Sequence, residues 1–153
     1  MAFLRSFKYA FKGLWYCIRT QRNFRFHTFA AVSAVLLAYK YDLNKTEKLV
    51  LLFTIVFVLI SEMLNTAVES VVDIKTESRH PLAGIAKDVA AGAVLVSAFA
   101  AITTGVVLFW DKTFLPLVTG YIKNPLFWLY CGVGIVYISG IIFRKKDDKN
   151  NGK

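Results

Sequence analysis

The chain has little cysteine, no internal repeat and no nucleotide-binding loop. Two cysteines in 153 residues, Cys17 and Cys131, are too few for a disulfide framework and read as packing residues. No Gly-x-x-x-x-Gly-Lys-Ser/Thr occurs, nor a kinase glycine loop or His-Arg-Asp motif, which excludes the common soluble nucleotide folds. Acidic residues are scarce, 10 against 19 basic ones. In a soluble domain a net charge of +9 would suggest nucleic acid, but here the charge flanks long apolar runs and suits anionic headgroups or phosphates.

Apolar residues are abundant. The chain is 56% hydrophobic and 15% aromatic, with a mean hydropathy of +0.50, a membrane-protein profile. Four stretches can cross about 30 Å of hydrocarbon: Phe26 to Leu43, Leu49 to Asp73, Val89 to Trp110 and Pro125 to Phe143. Before them, Phe3, Leu4, Phe7, Phe11, Leu14, Trp15 and Ile18 interleave with Arg5, Lys8, Lys12, Arg19, Arg22 and Arg25. No uninterrupted apolar core is present, so this is not a signal peptide. It predicts an amphipathic helix on the membrane surface, with an ordinary solvated helix as the alternative.

Fourteen of the 19 basic residues fall on one side if both termini are cytoplasmic, and the positive-inside rule favours that orientation. The loop Ile74 to Pro81 is then cytoplasmic, where ATP and magnesium are found. Residues 145 to 153, rich in Lys, Asp and Asn, are expected to be a disordered tail.

One apolar run ends in a polar face. Glu62, Asn65, Glu69 and Asp73 recur at steps of three, four and four, which places them within roughly 80° of one another on a helix. Ionisable groups at membrane depth cost at least about 2.5 to 3.5 kcal/mol each on insertion scales, so such a face suggests a site. Glu62 and Glu69 are separated by about 10 Å along the axis, too far to hold one ion together. They are expected to have different tasks: Glu69 as a cation ligand reached from the aqueous side, Glu62 as a proton acceptor for something arriving from lipid, with Asn65 between them. The alternatives are a structural polar stripe gluing helices together, or a cation or proton relay without chemistry. Downstream, Gly84, Lys87 and Asp88 are expected in the first turns of the next span, where free backbone N–H groups favour phosphate.

The stretch Glu62-Met63-Leu64-Asn65-Thr66-Ala67-Val68-Glu69-Ser70-Val71-Val72-Asp73, followed by His80, Gly84 and Ala86-Lys87-Asp88 and preceded by Lys12-Gly13-Leu14, resembles the signature of the prokaryotic diacylglycerol kinase family. These small membrane lipid kinases include undecaprenol kinase, and the resemblance covers roughly residues 5 to 110. It implies a homotrimer of three-span subunits with a surface helix and composite active sites at the cytoplasmic face of a bacterial inner membrane. Residue by residue, it implies Glu62 as general base, Glu69 as a ligand of the magnesium bridging the ATP phosphates, and Tyr9, Asn65, His80, Gly84, Lys87 and Asp88 in the nucleotide site, with Asp73 in support.

Two departures stand out. Where the family places a second metal-binding glutamate, this chain has Gln21, so either its carbonyl coordinates, or Asp73 or a phosphate oxygen compensates, or activity is weak. A fourth span lies beyond the family's three, giving an all-α organisation of a kinase core (1–111), an extra helix (112–143) and a basic tail (144–153). Arg22-Asn23 and His27 resemble the undecaprenol kinases, which favours undecaprenol over diacylglycerol as the lipid. Ala93, Ser97 and Ala101, at every fourth position, would allow close helix approach in a trimer core.

Overall fold

The computed structural model describes residues 2–75, 80–116, 120 and 123–140. They form five α-helices: α1 (Ala2–Thr20), α2 (Arg22–Lys40), α3 (Lys45–Lys75), α4 (Pro81–Pro116) and α5 (Pro125–Ser139). No strand occurs among the described residues. The expected tail, residues 76–79 of the expected loop and the last three residues of the expected fourth span lie outside them.

Polar caps set the helix ends and explain why the helices exceed their apolar runs. α2 stops in a Schellman turn: Asp42 takes a left-handed φ of 47°, the Leu43 N–H donates to Ala38 O at 3.0 Å, and the Asp42 N–H donates to Tyr39 O at 3.3 Å. Aspartate tolerates this conformation better than most residues. α3 starts in a reciprocal capping box, with the Asn44 N–H donating to Glu47 Oε2 at 2.7 Å and the Glu47 N–H to Asn44 Oδ1 at 2.9 Å. Proline opens both α4 and α5, at Pro81 and Pro125. α5 is capped by Asn124 at its start and by Gly140 at its end, whose φ of 68° is left-handed.

Among the described residues two helices are long and apolar enough to cross a membrane, Lys45–Ile74 and Pro81–Trp110. Only 28% and 6% of their most apolar windows are buried; the core helix of a soluble protein would be mostly buried, so their surfaces suit lipid. At 1.5 Å per residue, α3 and α4 extend roughly 46 and 54 Å, beyond the hydrocarbon thickness. Their lengths leave an extension beyond the hydrocarbon in which polar residues can stand.

The chain divides into two compact units. One comprises the chain up to Phe29 and from Leu115 onward, hence α1, the start of α2, and α5. Within it α2 and α5 run antiparallel: Thr28 Oγ1 and Tyr137 Oη share a hydrogen bond at 3.1 Å, and Phe29 stacks on Tyr130 at 4.9 Å. Gly134 admits the Phe29 ring, which a Cβ there would overlap. Cys17 is buried, as a packing residue should be, while Cys131 is half-buried. Along α1, Phe3, Phe7, Phe11 and Trp15 are exposed among its basic residues, as an interfacial helix requires.

The other unit is Ala30–Phe114. Ala38, Leu43 and Leu51 form its core, with Ile55, Leu108 and Phe109 packed against them. The Schellman turn thus delivers Leu43 into the core beside Ala38, the apolar contact that such turns favour. Thr54 Oγ1 donates to Thr104 Oγ1 at 3.4 Å, a polar link between α3 and α4. Ser97 is fully buried, so the middle of the small-residue stripe is already covered inside the chain.

Candidate active site

α3 carries the polar face as a graded series. Glu62 is 2% exposed, Asn65 and Glu69 are half-buried, and Asp73 is exposed. The gradient follows from helical spacing: steps of three and four keep the side chains on one face while each turn moves about 5.4 Å toward the helix end. Hydroxyls beside the series fold back onto the helix. Ser61 Oγ donates to Phe57 O at 2.9 Å, Thr66 Oγ1 to Glu62 O at 3.0 Å, and Ser70 Oγ to Thr66 O at 2.8 Å. Thr66 is buried and was missed by sequence reasoning; its place one turn after Glu62 was the available signal.

Asn65 joins the deep and shallow parts. Its Nδ2 donates to Glu69 Oε1 at 3.0 Å, while its Oδ1 is buried and accepts no hydrogen bond among the described residues. The expected link is therefore seen on the Glu69 side. An amide donor on one oxygen fixes the Glu69 carboxylate and leaves its second oxygen for another partner.

Asp73 and Lys87 meet. Lys87 Nζ forms an ion pair with Asp73 Oδ1, joining the end of α3 to α4. Sequence reasoning had assigned these residues separate tasks. One expectation needs correction: Lys87 and Asp88 are not in the turn with free N–H groups. Pro81 starts the helix eight residues before the apolar run at Val89, so the first turn is Pro81 to Gly84, in which the Ala83 and Gly84 N–H groups already donate to His80 O at 3.0 and 3.3 Å. Any phosphate contact of Lys87 must come from its side chain.

The remaining predicted residues are placed individually. His80, Gly84 and Asp88 are exposed at the start of α4, and a Cβ on Gly84 would meet nothing within 4 Å. Tyr9 is exposed on α1, with Lys12 Nζ 5.9 Å from its ring centroid. Gln21 is half-buried between α1 and α2. Tyr9 and Gln21 belong to the first unit and the others to the second.

Among the described residues no group of three or more His, Cys, Asp or Glu could hold a metal ion. A magnesium ion does not require one, because it is usually held by one or two carboxylates together with substrate phosphates and water. The available Glu69 oxygen and the accessible, half-buried setting of that residue fit such a role.

The sequence model of the prokaryotic diacylglycerol kinase family matches residues 8–109. The chain belongs to this family. Its members are membrane lipid kinases, and the match takes in α1 to α4 up to Phe109, leaving α5 outside. Curated relatives include a diacylglycerol kinase of Synechocystis sp., 50% identical over 103 residues, which are 67% of this chain and 59% of that protein. An undecaprenol kinase of Bacillus subtilis is 40% identical over 110 residues, 72% of this chain and 89% of the relative. The diacylglycerol kinase of Escherichia coli is 33% identical over 108 residues, 71% of this chain and 88% of its own.

Proposed function

We propose that this member of the family transfers the γ-phosphoryl group of ATP to the hydroxyl of a membrane lipid alcohol, with undecaprenol as the favoured acceptor. The observation that carries the reading is the graded face of α3, where a buried Glu62 is followed by Asn65 fixing Glu69 nearer the helix end. Glu62 accepts the proton of the lipid hydroxyl as its oxygen bonds to the γ-phosphorus and the bond from that phosphorus to the ADP oxygen breaks. Asn65 orients Glu69, and Lys87 supplies positive charge toward the phosphates once it exchanges Asp73 for them. Glu69 would hold magnesium, which would supply charge neutralisation on the ATP phosphates; Gln21 is the further ligand that the family resemblance implies. Tyr9, His80, Gly84 and Asp88 complete the nucleotide side in this reading. No phosphoenzyme is required.

The proposal retains four crossings, both termini in the bacterial cytoplasm, a homotrimer, and the division into core, extra helix and tail. The antiparallel packing of α5 on α2 supports an even number of crossings. Trp15 and Tyr16 are exposed on α1, and in this reading they would gate lipid entry at headgroup depth. Diacylglycerol is the second reading, favoured by the 50% identity to a protein named diacylglycerol kinase. Purified protein with magnesium and labelled ATP, presented with undecaprenol and diacylglycerol side by side, is expected to label undecaprenol faster. Labelling of neither lipid would overturn the kinase reading, and ATP-independent ion flux in proteoliposomes would favour the relay instead.

A further inference from the structure

Arg25 is 6% exposed, and a guanidinium withdrawn from water needs its donors satisfied. Its Nη1 donates to Ile18 O at 3.1 Å and to Arg19 O at 3.0 Å, both in the last turn of α1. Its Nε donates to Ile138 O at 3.1 Å, in the last turn of α5. Its own backbone N–H donates to Gln21 O at 3.2 Å, the first bond of α2. One residue therefore serves carbonyls at the ends of two helices and at the corner between α1 and α2. The negative ends of both helix dipoles favour its charge.

The α5 side is shaped to receive it. Gly140 adopts φ 68°, and a Cβ there would meet Arg25 Nη2 at 2.6 Å and Cζ at 2.8 Å. Glycine is thus required twice, for the left-handed turn and for the space occupied by the guanidinium. The Thr28–Tyr137 and Phe29–Tyr130 contacts hold α5 on α2 beyond this point.

We propose that Arg25 is a positioning residue through which α5, the helix outside the family match, fixes the α1–α2 corner and with it Gln21, the residue at which the family resemblance implies a metal ligand. This rests on the kinase reading in which Gln21 takes that role. Gln21 is where the need arises. A glutamate is drawn to a cation by charge, whereas a neutral amide gains little unless it is already held in place. A neutral amide at this corner benefits from a firmly fixed corner, and α5 supplies an anchor through Arg25.

Gly140→Ala disturbs the contact from the α5 side without touching the site. In the full-length chain in phospholipid nanodiscs, it is expected to raise amide exchange at residues 18–25 about tenfold. The apparent KM for magnesium–ATP should rise several-fold, with kcat changed less than about twofold. Arg25→Gln should do the same, and the double variant should be no worse than Arg25→Gln alone, because both act through one contact. Tyr137→Phe, which removes only a hydroxyl, should shift exchange in the same direction by a smaller factor and serves if Gly140→Ala does not fold. Unchanged corner exchange in a folded variant, or additive effects in the double variant, would overturn the coupling. Loosening of the corner in Gly140→Ala, together with a wild-type chain that transfers no phosphate to any lipid, would instead overturn the kinase reading and leave the Arg25 anchor standing.

Discussion

Replacing Asn65 by aspartate should turn the Asn65–Glu69 contact from an attraction into a metal-dependent repulsion. The two side chains have the same shape, so the new carboxylate would face Glu69 Oε1 at the distance now spanned by the 3.0 Å hydrogen bond. Two like charges about 3 Å apart repel by roughly 5.5 kcal/mol at an effective dielectric of 20 and roughly 1.4 kcal/mol in bulk water. Glu69 is half-buried, so solvent screening brings the cost toward the lower figure, about 1.5 to 3 kcal/mol. In a chelator the variant should melt several degrees below wild type. Millimolar magnesium should recover much of that loss, because a dication bound between the carboxylates stabilises the folded chain by mass action. Asn65→Leu, which removes the hydrogen bond without adding charge, should be destabilised equally with and without magnesium. The assay is thermal unfolding of detergent-purified protein across a magnesium titration. An Asn65→Asp chain as stable as wild type in chelator, with no magnesium response, would refute the geometry and the metal-side assignment together.

Glu62→Gln should fold normally and lose about 10²–10⁴-fold in kcat with little change in KM for ATP, as expected for a missing general base; single-turnover kinetics with labelled ATP would detect retained chemistry. Asp73→Asn should change stability by less than about 1 kcal/mol, because the Asp73–Lys87 pair is partly exposed, and by releasing Lys87 should leave KM for ATP unchanged or lower. A several-fold rise would remove Lys87 from the phosphate side. Gln21→Glu should keep the melting temperature within a degree or two, since position 21 lies between the C-terminal end of α1 and the N-terminal end of α2, whose dipole effects oppose each other. The magnesium concentration for half-maximal activity should fall, and an unchanged magnesium curve would take Gln21 out of the metal's surroundings.

The polar face of α3 was legible because helical spacing alone puts residues 62, 65, 69 and 73 together, and their burial order follows from position along an apolar helix. Helix existence was equally legible for the two long apolar runs. Their limits were not, since hydropathy ends where the hydrocarbon does while the backbone continues to its caps. α3 begins at Lys45 because Asn44 and Glu47 satisfy its first N–H groups. α4 begins at Pro81 although its apolar run begins at Val89, which displaced the expected phosphate-binding turn from Lys87. The Asp73–Lys87 pair joins two helices and leaves no periodic trace in either. Arg25 was read as one more basic residue of a surface helix, and its burial depends on α5, more than 100 residues later in the chain.

That dependence bears on the direction of α5. Arg25 reaches the last turns of α1 and α5 at once, so the C-terminal end of α5 lies at the same end of the first unit as the start of α2. The basic residues flanking the α1–α2 corner and the five after Gly140 favour the proposed cytoplasmic side for that end by the positive-inside rule. Charge count and geometry are independent, and both support the proposed return of the chain to the side where it began. The described α5 covers 15 residues, roughly 22 Å of the proposed fourth crossing. A helix held at its C-terminal end by a buried arginine is well placed to fix the corner. The anchoring of Arg25 and the absence of α5 from the family match therefore fit an addition that serves the existing site.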